Sequence, residues 1–131
     1  MEIRRKRADT AAGPRELFTG SVWMDEIAAA GAPGRIRVLS VHFAPGARTA
    51  WHRHPLGQVL HVTEGAGLVG RRDGQPEEIR AGDTVITEAG EWHWHGAGRG
   101  TFLTHLAVQG ADEDGTTTVW GEHVADEEYR A

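Results

Sequence analysis

Between Gly34 and Gly121 no stretch of the chain sustains a helical period, while turn-forming pairs recur at Pro45-Gly46, Asp73-Gly74, Gly82-Asp83 and Gly90-Glu91. Punctuation of this kind leaves room only for short strands. The chain has 18 glycines in 131 residues, about twice the ordinary share of roughly 7 per cent. That length supports one domain with a buried core and falls short of two. The strand candidates are 17–24, 35–43, 58–63, 67–72, 83–87, 101–109 and 116–124. In the second of these, Ile36 and Val38 occupy one parity and Leu39, Val41 and Phe43 the other, as in a strand covered on both faces. Asp25 to Ala30 reads as a single helical turn stopped by Gly31-Ala32-Pro33-Gly34. The expected organisation is an N-terminal arm at residues 1–16, an antiparallel β-sandwich closed into a small barrel over 17–125, and a tail at 126–131 with a short terminal helix.

Charge narrows the range of partners. The formal net charge is −5, from 14 basic and 19 acidic side chains, so no global field draws nucleic acid. The run Arg4-Arg5-Lys6-Arg7 reads as a solvated arm or a partner for the acidic tail. No apolar run approaches the roughly 20 residues that cross a bilayer, and the basic start is not followed by the apolar core of a secretory signal. Cysteine is absent, which rules out thiolate ligands and fits a reducing compartment. A cytoplasmic protein is expected.

Chemistry concentrates in two segments, Gly46 to Gln58 and Glu91-Trp92-His93-Trp94-His95. Strand side chains alternate with a period of two, so His52 and His54 point to one face and can reach one ion. Gln58 shares their parity across the Pro55-Leu56-Gly57 turn, and His93 completes the set from another strand. Three imidazoles and one amide are neutral N and O donors suited to manganese, iron, nickel or zinc in the divalent state. His95 shares the parity of His93 and would stand beside a molecule bound at the ion, within reach for general-base work or as a prop behind the ligands. His105, Ala107 and Gln109 share one parity, so His105 is a candidate for the same cavity wall. His61 has the parity that points away from the ion, His42 lies with Ile36 and Val38 on the opposite face, and His123 sits near the terminus. Trp51, Trp92 and Trp94 flank the ligand histidines at opposite parity and are expected to pack behind them.

The first segment resembles the first motif of the cupin superfamily: glycine, five residues, His-x-His, three or four residues, a further ligand, six residues, glycine. Gly46, His52, His54, Gln58 and Gly65 occupy those places. Gly82, Gly90 and His93 match the second motif. Glutamine stands where the superfamily usually has glutamate, and Glu88 where it usually has proline. A closer resemblance runs over nearly the whole chain, through Leu17-Phe18-Thr19-Gly20, Pro45 to Gln58, His93 to Ala97, Thr104 to Ala107 and Glu122-His123-Val124. It is to small bacterial manganese cupins that act as hydroxynitrile lyases, in which glutamine also occupies the Gln58 position. This resemblance implies a single-domain antiparallel jelly-roll β-barrel, one Mn2+ ion (Fe2+, Ni2+ or Zn2+ as alternatives), His95 as proton acceptor, a pocket wall of Leu39, Val41 and Gln109, and a homodimer or homotetramer.

Gln58 also discriminates between reactions. A carboxylate ligand would cancel one unit of the ion's charge; a glutamine cancels none. Four neutral donors leave the full charge to stabilise negative charge on a coordinated oxygen, which favours Lewis-acid chemistry over redox cycling. The expected reaction is reversible cleavage of a cyanohydrin to an aldehyde or ketone plus hydrogen cyanide. A cupin dioxygenase or other metal-dependent oxidoreductase, and a cupin that binds a small molecule without turning it over, are the competing readings.

Overall fold

The computed structural model describes every residue except Ala30 and Ala131. Its strands are β1 (Ala11–Ala12), β2 (Phe18–Thr19), β3 (Val22–Ala28), β4 (Ile36–Phe43), β5 (Arg48–Thr49), β6 (His52–Arg53), β7 (Gln58–Arg71), β8 (Glu77–Arg80), β9 (Thr84–Thr87), β10 (His93–Ala97), β11 (Leu103–Gly110) and β12 (Val119–Trp120). They form one curled antiparallel sheet in the order β1-β3-β4-β11-β7-β10-β5-β2, with β6, β8, β9 and β12 attached alongside. Among the described residues the helical content is one 3-10 turn at Pro33–Arg35, and no helix is long and apolar enough to cross a membrane.

Alternation decides what faces inward. On β4, Leu39, Val41 and Phe43 are buried, whereas His42 turns outward to bond Asp25 and Thr104. On β11 every second residue, Leu103, His105, Ala107 and Gln109, is buried. Phe43, Leu60, Val62 and Leu103 lie at the centre of the main core with Phe18 and Val22; full burial of a side chain of this kind stabilises by about 1.5–3 kcal/mol. A second cluster, Trp51, Leu68, Trp94, Val124 and Tyr129 with Trp92 against it, lies behind β6 and β10. The tail is fastened there: Arg48 donates to Val124 O at 2.9 Å and to Asp126 at 2.8 Å, and its guanidinium lies 4.4 Å over the Tyr129 ring. The Tyr129 hydroxyl donates to Ala97 O.

The longest strand turns a corner. β7 runs from Gln58 to Arg71, which would span about 43 Å if straight, yet Gln58 reaches His93, the cross-strand partner of Arg71. The first half of β7 pairs with β11 and β9, the second with β10 and β8. Gly65 sits between the halves at φ 80°, and a Cβ there would lie 1.9 Å from Phe102 O. Only glycine permits both the left-handed backbone and that approach. The two separate strands expected over 58–63 and 67–72 are thus one element bent at Gly65.

Other sequence expectations are corrected. Residues 25–28 are not a helical turn but the end of β3, whose ladder to β4 runs from Val22↔Phe43 to Ala28↔Val38 with an irregularity after Glu26; Ala30 lies outside the described residues. Pairing across strands outweighs the local preference of Glu26-Ile27-Ala28. The strand expected over 17–24 is divided at Gly20, φ 81°. Within the arm, Ala11 and Ala12 pair with Met24 and Trp23 of the same chain. Residues 126–129 form a turn, held by amide N–H groups of Glu128 and Tyr129 on Ala125 O. Of 116–124 only Val119–Trp120 is strand.

Candidate metal centre

Two backbone turns bring the donors together. Gly57 N–H and Gly90 N–H both donate to His54 O, at 3.1 and 2.9 Å, so the loop after His54 and the loop before His93 are tied to one carbonyl. Gly57 adopts φ 80° and Gly90 φ 76°, conformations that cost glycine little. His52 and His93 face each other directly across β6 and β10, with ring centroids 4.3 Å apart. His54 lies 5.0 Å from His52 and 5.3 Å from His93 by the same measure.

Each of these rings is fixed in one tautomer. The Nδ1–H of His52 donates to Ala50 O (2.9 Å), that of His54 to Thr117 O (2.8 Å) and that of His93 to Glu91 O (3.1 Å). A carbonyl oxygen can only accept, so the hydrogen sits on Nδ1 and the Nε2 lone pair is left for the interior. His54 Nε2 is buried and without a hydrogen-bond partner. Gln58 donates its amide N–H to Gln109 Oε1 at 3.0 Å, which turns its own Oε1 toward His93 Nε2 at 3.1 Å. With the amide so oriented, two lone pairs face one another without a proton between them, a repulsion that a cation relieves. The donor set fits a divalent ion.

His95 adds a further nitrogen. One ring nitrogen from each of His52, His93 and His95 lies within 4.8 Å of the other two, so these three histidines are positioned to hold a metal ion. His95 differs from the other rings in what holds it: its Nδ1 meets His105 Nε2 at 3.0 Å, and its Nε2 is buried and unpartnered. His105 is fully buried against Phe43, 5.3 Å between ring centroids.

Burial keeps these rings neutral. Desolvation is the main cause in every case; it lowers the His93 and His105 pKa values to about 4, and those of His52 and His95 well below the ordinary 6.5 with help from neighbouring imidazoles. His54 is also lowered, chiefly by desolvation, with hydrogen bonds to Thr117 and Gln58 opposing the shift. A stability prediction follows for the metal-free protein. Between pH 6.5 and about 4 the unfolded chain takes up protons that folded His93 and His105 refuse. Stability is therefore unaffected by these groups above pH 6.5 and falls on acidification through that window, by about 3 kcal/mol for each ring if fully expressed. Urea titrations of chelator-treated protein at pH 7 and pH 4.5 check this; equal midpoints would contradict it.

His52, His54, Gln58 and His95 line a cavity of about 540 Å³. Leu39, Val41, His105 and Gln109, expected in the wall, all line it. Sequence reading missed Trp120, whose ring lies 4.8 Å from His52, as well as Arg37 and the Thr116-Thr117-Thr118 loop. The parity of Arg37 with Leu39 and Val41 was an available signal; no local pattern marks the loop. His61 points outward to Thr84. Trp51 and Trp94 are buried behind the ligand strands.

A curled antiparallel barrel with imidazoles converging inside it defines a small metal-site β-barrel, and the chain belongs to the cupin family, whose cupin-domain profile matches residues 39–104. Over 131 residues, covering 99% of both chains, it is 50% identical to a protein of Granulicella tundricola named (R)-mandelonitrile lyase. Among solved structures it resembles a cupin-like protein from Thermotoga maritima, with TM-score 0.86 and 33% identity over 98% of this chain and 96% of that one. The polyketide cyclase RemF from Streptomyces resistomycificus aligns with TM-score 0.69 and 25% identity over 82% and 78% of the two chains.

Proposed function

We propose that the protein is a divalent-metal hydroxynitrile lyase, cleaving cyanohydrins reversibly to an aldehyde or ketone and hydrogen cyanide. The observation that carries this reading is the set of three tautomer-locked imidazoles presenting Nε2 lone pairs to one buried space, in a chain half identical to a mandelonitrile lyase. In this reading His52, His54, Gln58 and His93 hold the ion, taken as manganese, with iron, nickel and zinc served by the same donor types. Once bound, the ion supplies Lewis acidity that lowers the cost of negative charge on the substrate oxygen.

His95 has the proton-transfer role. When its Nδ1–H donates to His105 Nε2, the lone pair is left on the buried, unpartnered Nε2 of a ring that lines the cavity. It takes the hydroxyl proton as the bond from carbon to cyanide breaks, and returns that proton to the departing cyanide. The carbonyl product and hydrogen cyanide account for every atom of the cyanohydrin. A ring whose Nε2 lone pair is given to the ion cannot shuttle in this way; a ring whose Nε2 has no partner can. Leu39 and Val41 offer the substrate an apolar wall, and burial around His95 keeps its base form populated at neutral pH.

The protein is further proposed to act in the cytoplasm on a small molecule, without nucleic-acid or membrane partners, as a homodimer or homotetramer. Val38, Val108, Val59 and Ile86 stand opposite one another across four strands on the outer face, with Ile86 73% exposed, an apolar row of the kind that a second copy covers. The test of function is the release of benzaldehyde from mandelonitrile by manganese-loaded protein, with and without oxygen. Release that is independent of oxygen is expected. Oxygen uptake with ferrous ion and no release would replace the lyase by an oxidative enzyme, and saturable binding without product would leave a binding cupin.

A further inference from the structure

The protein carries 19 acidic and 14 basic side chains, yet among the described residues lining the cavity there is no aspartate or glutamate and one formal cation, Arg37. The histidines that share the wall are held neutral by burial. A divalent ion at the base adds positive charge and nothing in the lining offsets it. We propose that this cavity selects substrates bearing a carboxylate, with Arg37 as the residue that receives it. The proposal rests on the reading of the cavity as the substrate site and adds the class of molecule that fills it.

The geometry fixes where such an anchor stands. Arg37 has the parity of Leu39 and Val41 on β4 and turns to the same cavity. It is the cross-strand partner of Gln109, which is in turn the partner of Gln58. Arg37, Gln109 and Gln58 thus form one row over three strands, and the arginine backbone lies two strand spacings, about 10 Å, from that of Gln58. Its side chain is 34% exposed, which puts it at the rim. Glu26 Oε2 accepts from its Nε at 3.0 Å and orients the guanidinium, while its two terminal amino groups have no hydrogen-bond acceptor among the described residues. Those two groups are the edge that pairs with a carboxylate in a fork. Glu26 is itself 39% exposed, so water weakens its opposition to an incoming anion.

Between rim and histidines the wall is apolar, with Met24, Leu39, Val41 and Ala107. The substrate therefore has three parts: an oxygen-bearing reacting carbon at the imidazole end, an apolar body, and a carboxylate at the far end. An aromatic aldehyde with a para carboxylate, or its cyanohydrin, has this form.

The experiment uses manganese-loaded full-length protein and measures calorimetric affinity for 4-formylbenzoate against 4-formylbenzamide, its neutral analogue of the same shape. The acid is expected to bind about tenfold more tightly, with a preference that shrinks as salt is added. Arg37→Met should erase the preference and Arg37→Lys should keep part of it. Equal affinity of wild-type protein for acid and amide overturns the proposal without recourse to a variant, and a preference that survives in Arg37→Met overturns the assignment to Arg37. Binding is read without turnover, so failure of the lyase assay leaves this result interpretable. Conversely, cyanohydrin cleavage with no acid preference would sink this inference alone.

Discussion

Replacing His95 by alanine is expected to lower the rate of mandelonitrile cleavage by about 10²–10⁴, while the manganese content measured by elemental analysis stays at the wild-type level. The ring lies among His52, His93 and His105, so two explanations of lost activity have to be separated. If His95 is the proton carrier, the variant keeps its ion and loses kcat. If it is a ligand, the ion goes with it. The pairing of its Nδ1 with another imidazole, where each proposed ligand histidine holds a backbone carbonyl, favours the first outcome. An unchanged rate with full metal would remove the role assigned to it.

The second large effect concerns the ion itself. His93→Ala should leave no stoichiometric manganese after dialysis, because His93 faces His52 across the sheet and meets Gln58. Gln109→Leu is the subtler variant: it removes the acceptor that turns the Gln58 amide, at 3.0 Å, without replacing a proposed ligand. A loss of about 10–100-fold in manganese affinity is expected, as for other groups that orient ligands. Full retention of the ion in His93→Ala would reject the proposed donor set, and unaltered affinity in Gln109→Leu would reject the orienting role.

Much of this arrangement was legible in residue order because it depends on a period of two. Alternation set Leu39, Val41 and Phe43 on one face and His42 on the other, the resemblance said which face looked inward, and the same period put His105 and Gln109 on one wall. Motif spacing pointed to His52, His54, Gln58 and His93, and the nearness of the His52, His54 and His93 rings agrees with it. What stayed hidden depends on partners distant in sequence. The strand at residues 25–28 exists because β4 offers a ladder, which a local reading of Glu26-Ile27-Ala28 cannot supply. His95 and His105 share a hydrogen bond because β10 and β11 pair with the two halves of β7, which its bend brings together. Trp120 joins the site from a two-residue strand too short to leave a periodic signature. The Glu88 departure from the motif also found its reason: the Glu91 carboxylate accepts from Glu88 N–H at 3.1 Å and braces the turn from within.

The corner at Gly65 works like the rivet of a pair of callipers. Its two arms end at Gln58 and at the strand beside His93, so the gap between their tips is set by an angle made about 20 Å up the chain. Engineers who reshape the mouth of this barrel can exchange wall residues one at a time, but the opening between the tips answers to a residue that no ligand touches.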